Sequence, residues 1–295
     1  MSGGMPVAQT PARPQRDVAQ EQAELLASRP VGAYRHLTFQ APAIAALAQP
    51  GHFVAAAVGG SASGLLLRRS FSIHRVDSSA GTVELVVAAH GPGTVWLTEA
   101  PAGTSVDLVG PLGQPFPLPQ EPTAAVLVGG GYGSAPLFWL ADALRETGTH
   151  VELVLGAASA DRLFGVELAA GCADAVSVTT DDGSAGVRGW VSDVLPDVLA
   201  RSRATVAYAC GPMAMLRAVT AAATAAGAVA HVAVEEAMAC GVGVCMTCVM
   251  PVTGDDGRTR MVRSCLEGPV FRGDRVRWEA FVDGQCVVPD DAVGA

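Results

Sequence analysis

Basic residues are scarce: 19 Lys and Arg stand against 28 Asp and Glu, a formal net charge of −9. No Lys/Arg run offsets that balance, which argues against a nucleic-acid or anionic-lipid surface. A long apolar run is also missing. The softest stretch, Ala218 to Val234, is mostly Ala, Thr and Gly with His231 inside it, short of the ~18 strongly apolar residues a membrane span needs. It reads as an Ala-rich helix running into a strand. The first residues carry Arg13, Arg16, Asp17 and Glu21, where a signal peptide would carry an apolar block of about 7–15 residues. The expectation is a cytoplasmic protein whose partners are small molecules or proteins.

The chain has 295 residues, half of them apolar. That is enough for a large core and, at roughly 100–200 residues per domain, for two or three units. No internal repeat divides them. Residues 1–28, rich in Pro, Gln and Ala, read as a flexible tail with a short helix over Val18 to Ala27. From Tyr34 to Leu108, short apolar runs (His36–Phe39, Phe53–Val58, Leu65–His74, Val83–Ala89, Val106–Leu108) alternate with turn residues. This rhythm predicts an antiparallel β-barrel over residues 29–118.

After a Pro-rich hinge from Pro115 to Pro122, strands at Ala124–Val128, Val151–Leu155 and Thr205–Ala209 alternate with helices at Leu137–Thr147, Val187–Leu199 and Met213–Ala226. That alternation predicts a parallel-sheet α/β domain over residues 119–230. Residues 231–295 hold a cysteine cluster in a Gly-rich loop, then a short β-like ending around Val276–Phe281.

Four of the seven cysteines fall within 26 residues, and in a reducing compartment such crowding points to metal rather than disulfides. Cys240, Cys245 and Cys248 are spaced C-x4-C-x2-C, with Cys265 after sixteen intervening residues. This is the plant-type spacing of [2Fe–2S] ligands. Gly241 and Gly243 inside the loop permit the close backbone approach that inorganic sulfide requires, with Val242 and Met246 as an apolar cover. The competing reading is structural zinc, whose four thiolates usually come as two CxxC knuckles; here one CxxC exists. Cys172, Cys210 and Cys286 read as small core residues.

Arg69-Ser70-Phe71-Ser72 ends a β-type run, and Gly91-Pro92-Gly93-Thr94 follows about twenty residues later. An Arg fork, Ser hydroxyls and a Gly-x-Gly-Thr turn can hold a flavin and its phosphates, or they can be a solvated strand face and a plain turn. Gly129 to Pro136 sits between a buried strand and a helix, where N–H groups attract a pyrophosphate. The strict G-x-G-x-x-G fingerprint is absent, because its third glycine would fall at Ser134 or Pro136. Cys210-Gly211-Pro212-Met213 ends a later strand and reads equally as ligand crevice or simple turn.

Taken in order, the barrel Arg-x-Phe-Ser, Gly-x-Gly-Thr, Gly110-Pro111-Leu112-Gly113, GGGYGSAPL and CGPM resemble the ferredoxin-NADP reductase superfamily. The tail, Glu235-x-x-Met238-x-Cys240 through Cys265 to Gly268-Pro269-Val270-Phe271, is similar to the electron-transfer subunits of type B dihydroorotate dehydrogenases. So are Thr180 to Ser184 and Pro50 to Val54.

That resemblance implies three cofactors. FAD would lie on Arg69, Ser70, Phe71 and Ser72, with Val86, Val87, Ala88, Gly93 and Thr94 completing its site. NAD would face Gly129, Gly130, Gly131, Gly133, Cys210, Gly211, Pro212 and Met213. A [2Fe–2S] cluster would be held by Cys240, Cys245, Cys248 and Cys265. The implied partner is an FMN-containing catalytic subunit that oxidises dihydroorotate in de novo pyrimidine (UMP) biosynthesis, in a heterotetramer of two plus two. Electrons would pass singly through the cluster to FAD and leave as hydride to NAD+.

Three positions depart from the family pattern: Ser70 in place of Pro, Glu267 in place of Asp, and Ala158 in place of a basic residue. Alternatives are an NAD(P)H-linked flavin/iron–sulfur subunit of a hydrogenase or of a ferredoxin-dependent transhydrogenase, and a zinc-stapled binding module. An oxygenase reductase needs a further ferredoxin domain, for which the tail is too short.

Overall fold

The computed structural model describes residues 17–60, 63–282 and 285–293. Strands β1 (Ala19–Val31), β2 (Tyr34–Gln40), β3 (Phe53–Ala56), β4 (Arg69–Asp77), β5 (Thr82–Val87) and β6 (Ser105–Leu112) form a closed antiparallel barrel in the order β1-β2-β5-β4-β3-β6. Closure leaves no unpaired edge. Alternate residues such as Leu25, Leu37, Phe39, Ile73, Leu85 and Leu108 fill its interior. Two short helices, α1 (Pro42–Leu47) and α2 (Pro92–Glu99), complete the unit.

The expected tail and its helix over Val18–Ala27 are corrected here. From Ala19 onward the chain is a barrel strand, paired with β2 on one side and β6 on the other. Its Ala, Gln and Glu residues favour helix, but Ala23 and Leu25 are buried while Gln22 and Glu24 are exposed. That two-residue period is satisfied only by pairing. Residues 1–16 of the expected tail lie outside the described residues.

The second unit is a sheet of β7 (Ala124–Gly130), β8 (His150–Ala157), β9 (Ala175–Thr180), β10 (Val187–Arg188), β11 (Val206–Cys210) and β12 (Val229–Ala233), all parallel, in the order β10-β9-β8-β7-β11-β12. Helices α3 (Ala135–Glu146) and α4 (Val166–Cys172) cover one face, and α5 (Val191–Ser202) and α6 (Met213–Ala225) the other. The helix expected over Val187–Leu199 is shorter at its start: Val187–Arg188 pairs with β9, and Gly189 at φ +136° turns the chain into α5.

The cysteine segment carries a hairpin, β13 (Val249–Thr253) with β14 (Thr259–Arg263), and then β15 (Val270–Arg272), which joins the sheet antiparallel to β12. The tail is therefore bonded into the nucleotide sheet, and the expected boundary at residue 230 falls inside β12. The expected β-like ending is a 3-10 turn at Trp278–Ala280 followed by a two-residue strand, Phe281–Val282. Among the described residues no helix is long and apolar enough to cross a membrane.

Candidate functional site

A cavity of about 950 Å3 separates the barrel from the C-terminal ends of β7, β8 and β11, the crevice where open α/β sheets take ligands. Its barrel wall includes Arg69, Ser70, Phe71, Ser72, Val86, Val87, Ala88 and Thr94; its sheet wall includes Gly130, Gly131, Gly133, Cys210, Gly211 and Pro212. The residues expected at the flavin and those expected at the nucleotide thus share one space. Gly93, Gly129 and Met213 stand behind that surface, Met213 packing with the core on the α5 and α6 side.

Each hidden or lining glycine has a steric reason. A Cβ on Gly93 would meet Val58 Cγ2 at 2.8 Å and Arg69 Nε at 3.1 Å, so the bare backbone lets the guanidinium lie across the first turn of α2. Arg69 Nη1 is steadied by donating to the Leu67 carbonyl at 2.7 Å. The Thr94 hydroxyl accepts from His90 N–H at 2.8 Å and Gly91 N–H at 3.0 Å. It therefore caps α2, and the anion attraction here comes from the capped helix start beside a fixed cation. That arrangement fits the pyrophosphate of FAD.

Across the cavity, β7 and β11 pair with Gly129 opposite Cys210. This register brings the glycine loop against the Cys210–Met213 turn. A Cβ on Gly130 would lie 2.8 Å from Met215 Sδ, and one on Gly133 would lie 2.8 Å from the Cys210 carbonyl oxygen. Ser134, where the dinucleotide fingerprint would have glycine, donates its hydroxyl to Gly131 O at 2.8 Å and Phe164 O at 3.2 Å. A buried serine thus pins the turn that the third glycine would otherwise relax. The loop fits a nucleotide's phosphates without the strict motif.

Several lining residues carry no prior assignment: Tyr34, Phe53, His90, Tyr132, Glu235 and Met238. Tyr132 donates its hydroxyl to Glu235 Oε1 at 3.3 Å and meets the Tyr34 ring edge-on at 5.5 Å. Burial, reinforced by the Glu235 carboxylate, pushes the Tyr132 phenol up to about 12 and the Cys210 thiol also to about 12. Both keep their protons at neutral pH. Tyr132 and Glu235 each lie inside a motif that the sequence singles out, but 103 residues separate them, and no local pattern couples them.

In the cysteine loop Gly241, Gly243 and Met246 have positive φ (71°, 81° and 61°). The curl this produces aims Val244 N–H and Cys245 N–H at Cys240 Sγ, each at 3.4 Å. Hydrogen bonds from Thr247 and then Cys240 lower the Cys245 thiol to about 6, in the thiolate range that metal binding needs. Burial and the neighbouring Cys248 push Cys265 up to about 12, so a cation's charge is what would hold that sulfur as thiolate.

Cys240 Sγ accepts from Cys245 N–H, and the Cys265 sulfur stands beside Cys248, with Cys240 also close enough to act on it. A tetrahedral zinc site would gather all four within about 3.8 Å of one another. Among the described residues no three cysteine sulfurs lie mutually within 4.8 Å, and the C-x4-C-x2-C spacing with a distant fourth cysteine fits two irons.

Two of the four rest on the barrel: Cys248 and Cys265 pack with Phe53, Ala55 and Leu112. That is the apolar cover, because Val242 and Met246 are exposed. Phe53 also lines the cavity and pairs with Ser72 across β3 and β4. One side chain therefore touches both the cluster shell and the flavin wall. Of the departures, Ser70 keeps a regular ladder pairing with Ala55, Glu267 Oε2 accepts from Arg263 N–H at 3.0 Å, and Ala158 shares the cavity wall with Arg162.

Residues 235–277 match the family model for the iron–sulfur cluster binding domain of dihydroorotate dehydrogenase B. Over 243 residues the chain is 40% identical to the dihydroorotate dehydrogenase B (NAD(+)) electron transfer subunit of Bacillus caldolyticus, covering 81% of this chain and 91% of that one. The subunit of the same name from Desulforamulus reducens is 34% identical, covering 83% and 92%. Among solved structures, a chain of the NADH-dependent reduced ferredoxin-NADP oxidoreductase superposes with a TM-score of 0.77 at 30% identity, covering 88% and 91%. The ferredoxin reductase of carbazole 1,9a-dioxygenase shares the fold, with a TM-score of 0.62 at 23% identity and coverage of 73% and 68%.

Proposed function

The chain belongs to the family of electron-transfer subunits of dihydroorotate dehydrogenase B, and from that membership we propose that it takes electrons from a dihydroorotate-oxidising, FMN-containing partner and delivers them to NAD+. It is an oxidoreductase component with [2Fe–2S], FAD and NAD as its cofactors. When bound, the flavin supplies the exchange between single electrons and the hydride pair that nicotinamide accepts.

The chain's own residues bind and orient. Cys240, Cys245, Cys248 and Cys265 would hold the irons. Arg69 and the start of α2 would take the flavin's phosphates, with Ser70, Ser72 and the Val86–Ala88 backbone beside its ring. The Gly129–Gly133 loop and the Cys210–Met213 turn would seat the nucleotide. The observation that carries the reading is Phe53, in contact with the cysteine shell on one side and the cavity on the other. The partner would dock at the exposed cysteine loop, where Val244 is 79% exposed. The assembly would be a cytoplasmic heterotetramer of two plus two serving pyrimidine synthesis.

Purification of the chain with a dihydroorotate-oxidising subunit tests this. The complex should form one NADH per orotate, and the partner alone should form none; a complex that oxidises dihydroorotate without reducing NAD+ would refute it. The 30% identity to the ferredoxin-NADP oxidoreductase chain supports a second reading, exchange with ferredoxin, which the same complex would reveal by oxidising reduced ferredoxin with NAD+.

A further inference from the structure

We infer that His36, His74 and Glu84 form a binding site for a divalent transition-metal ion on the outer wall of the barrel, distinct from the four cysteines and independent of the redox reading. The three lie on the adjacent strands β2, β4 and β5. Their donor atoms all fall within 4.8 Å of one another, the only such set among the described residues. His36 Nε2 is 3.2 Å from Glu84 Oε2, and the two imidazole rings meet edge-to-face with centroids 5.4 Å apart. The ladder between β4 and β5 shifts register between Ile73 and Arg75. His74 sits at that irregularity, the kind of feature that re-aims a side chain beside a site.

The tautomer of His74 is fixed by its surroundings. Its Nδ1 lies 2.6 Å from the Ala135 carbonyl oxygen; a carbonyl only accepts, so Nδ1 carries the proton and Nε2 keeps the lone pair. Metal-bound histidines are held in this way, one nitrogen on the metal and the other on a backbone carbonyl. Phe138 and Phe164 fix the ring further, with centroids 6.0 and 5.5 Å away.

Of the two arginines opposite these residues in the ladders, Arg75 faces Glu84 and is paired with Asp142 at 2.6 Å, which offsets its charge, and Arg29 faces His36. His36 and Glu84 are 25% and 28% exposed at the side chain, leaving the ion a way in and room for water to complete its shell. Two imidazoles and one carboxylate suit Zn2+, Co2+ or Ni2+ better than Mg2+ or Ca2+. A bound ion would tie three barrel strands together and, through the Ala135 carbonyl, reach the first residue of α3 behind the glycine loop.

The competing account is a plain His36–Glu84 ion pair beside a core histidine. To decide, the flavin- and cluster-loaded full chain is freed of loose metal and titrated with Co2+, followed by absorption and by thermal melting. The proposal expects about one cobalt per chain beyond the cluster, with weak visible bands, no sulfur-to-cobalt charge-transfer band, and a higher Tm. His36→Gln and Glu84→Gln, both at partly exposed positions, should weaken binding at least about tenfold with flavin and cluster spectra unchanged. No cobalt uptake, a thiolate-type spectrum, or equal uptake by the double variant would overturn it.

Discussion

A methyl group at position 133 would sit 2.8 Å from the Cys210 carbonyl oxygen, a backbone atom that cannot swing aside. Gly133→Ala should therefore separate the glycine loop from the Cys210–Met213 turn, costing about 1–3 kcal/mol as overpacking does and raising the KM for NADH. Thermal melts and steady-state kinetics check this, with flavin content expected to stay at the wild-type level.

His231 gives a pH signature at the same scale. It stacks on Tyr208 at 5.6 Å and pairs with Arg272 across the ladder, and burial, followed by the Arg272 charge, lowers it from 6.5 to about 4. The folded state resists protonating this ring, so as pH falls below 6.5 the unfolded chain takes up the proton first and stability declines until about pH 4. The loss is roughly 2 kcal/mol after allowing for partial exposure. Burial also lowers His74 to about 4, so His231→Gln should make that acid limb shallower in denaturant titrations without abolishing it; an unchanged limb would place its origin elsewhere.

Among elements, the cysteine loop depends most on one backbone position. Gly243 combines φ +81° with a virtual Cβ only 2.2 Å from Leu266 Cδ1, and its carbonyl accepts from Arg263 Nη1 at 2.9 Å. Gly243→Ala strains the backbone by about 1–2 kcal/mol and pushes the loop off Leu266, so cluster loading should fall sharply while FAD content holds. Iron analysis and visible absorption measure the two separately.

Elements whose residues carry their own pattern were legible in the sequence. The buried runs of β7 and β8, the glycine loop and the cysteine spacing are local. Strand β1 was not, because Gln20–Glu24 favour helix and only pairing with β2 and β6 decides otherwise. Strand β9 and helix α4, of six and seven residues, gave too short a period to read. At the site, most of the motif residues that line the cavity were legible, but the contacts joining them were not. Tyr132 with Glu235, and Phe53 with Cys248 and Cys265, meet only after the barrel, sheet and tail have come together.

At the scale of the whole molecule, three segments distant in sequence converge on one cavity and one strand. The tail adds β15 to the nucleotide sheet while its cysteine loop rests on barrel strands β3 and β6. The cysteine segment is therefore held by both other units, which agrees with the proposed route: in at the exposed loop, past Phe53, and out at the cavity. The direct test is Cys245→Ser, studied in complex with the dihydroorotate-oxidising partner, with two activities measured on the same preparation. The account expects dihydroorotate-to-NAD+ coupling to be lost while NADH–dye activity through FAD persists; equal loss of both would contradict it.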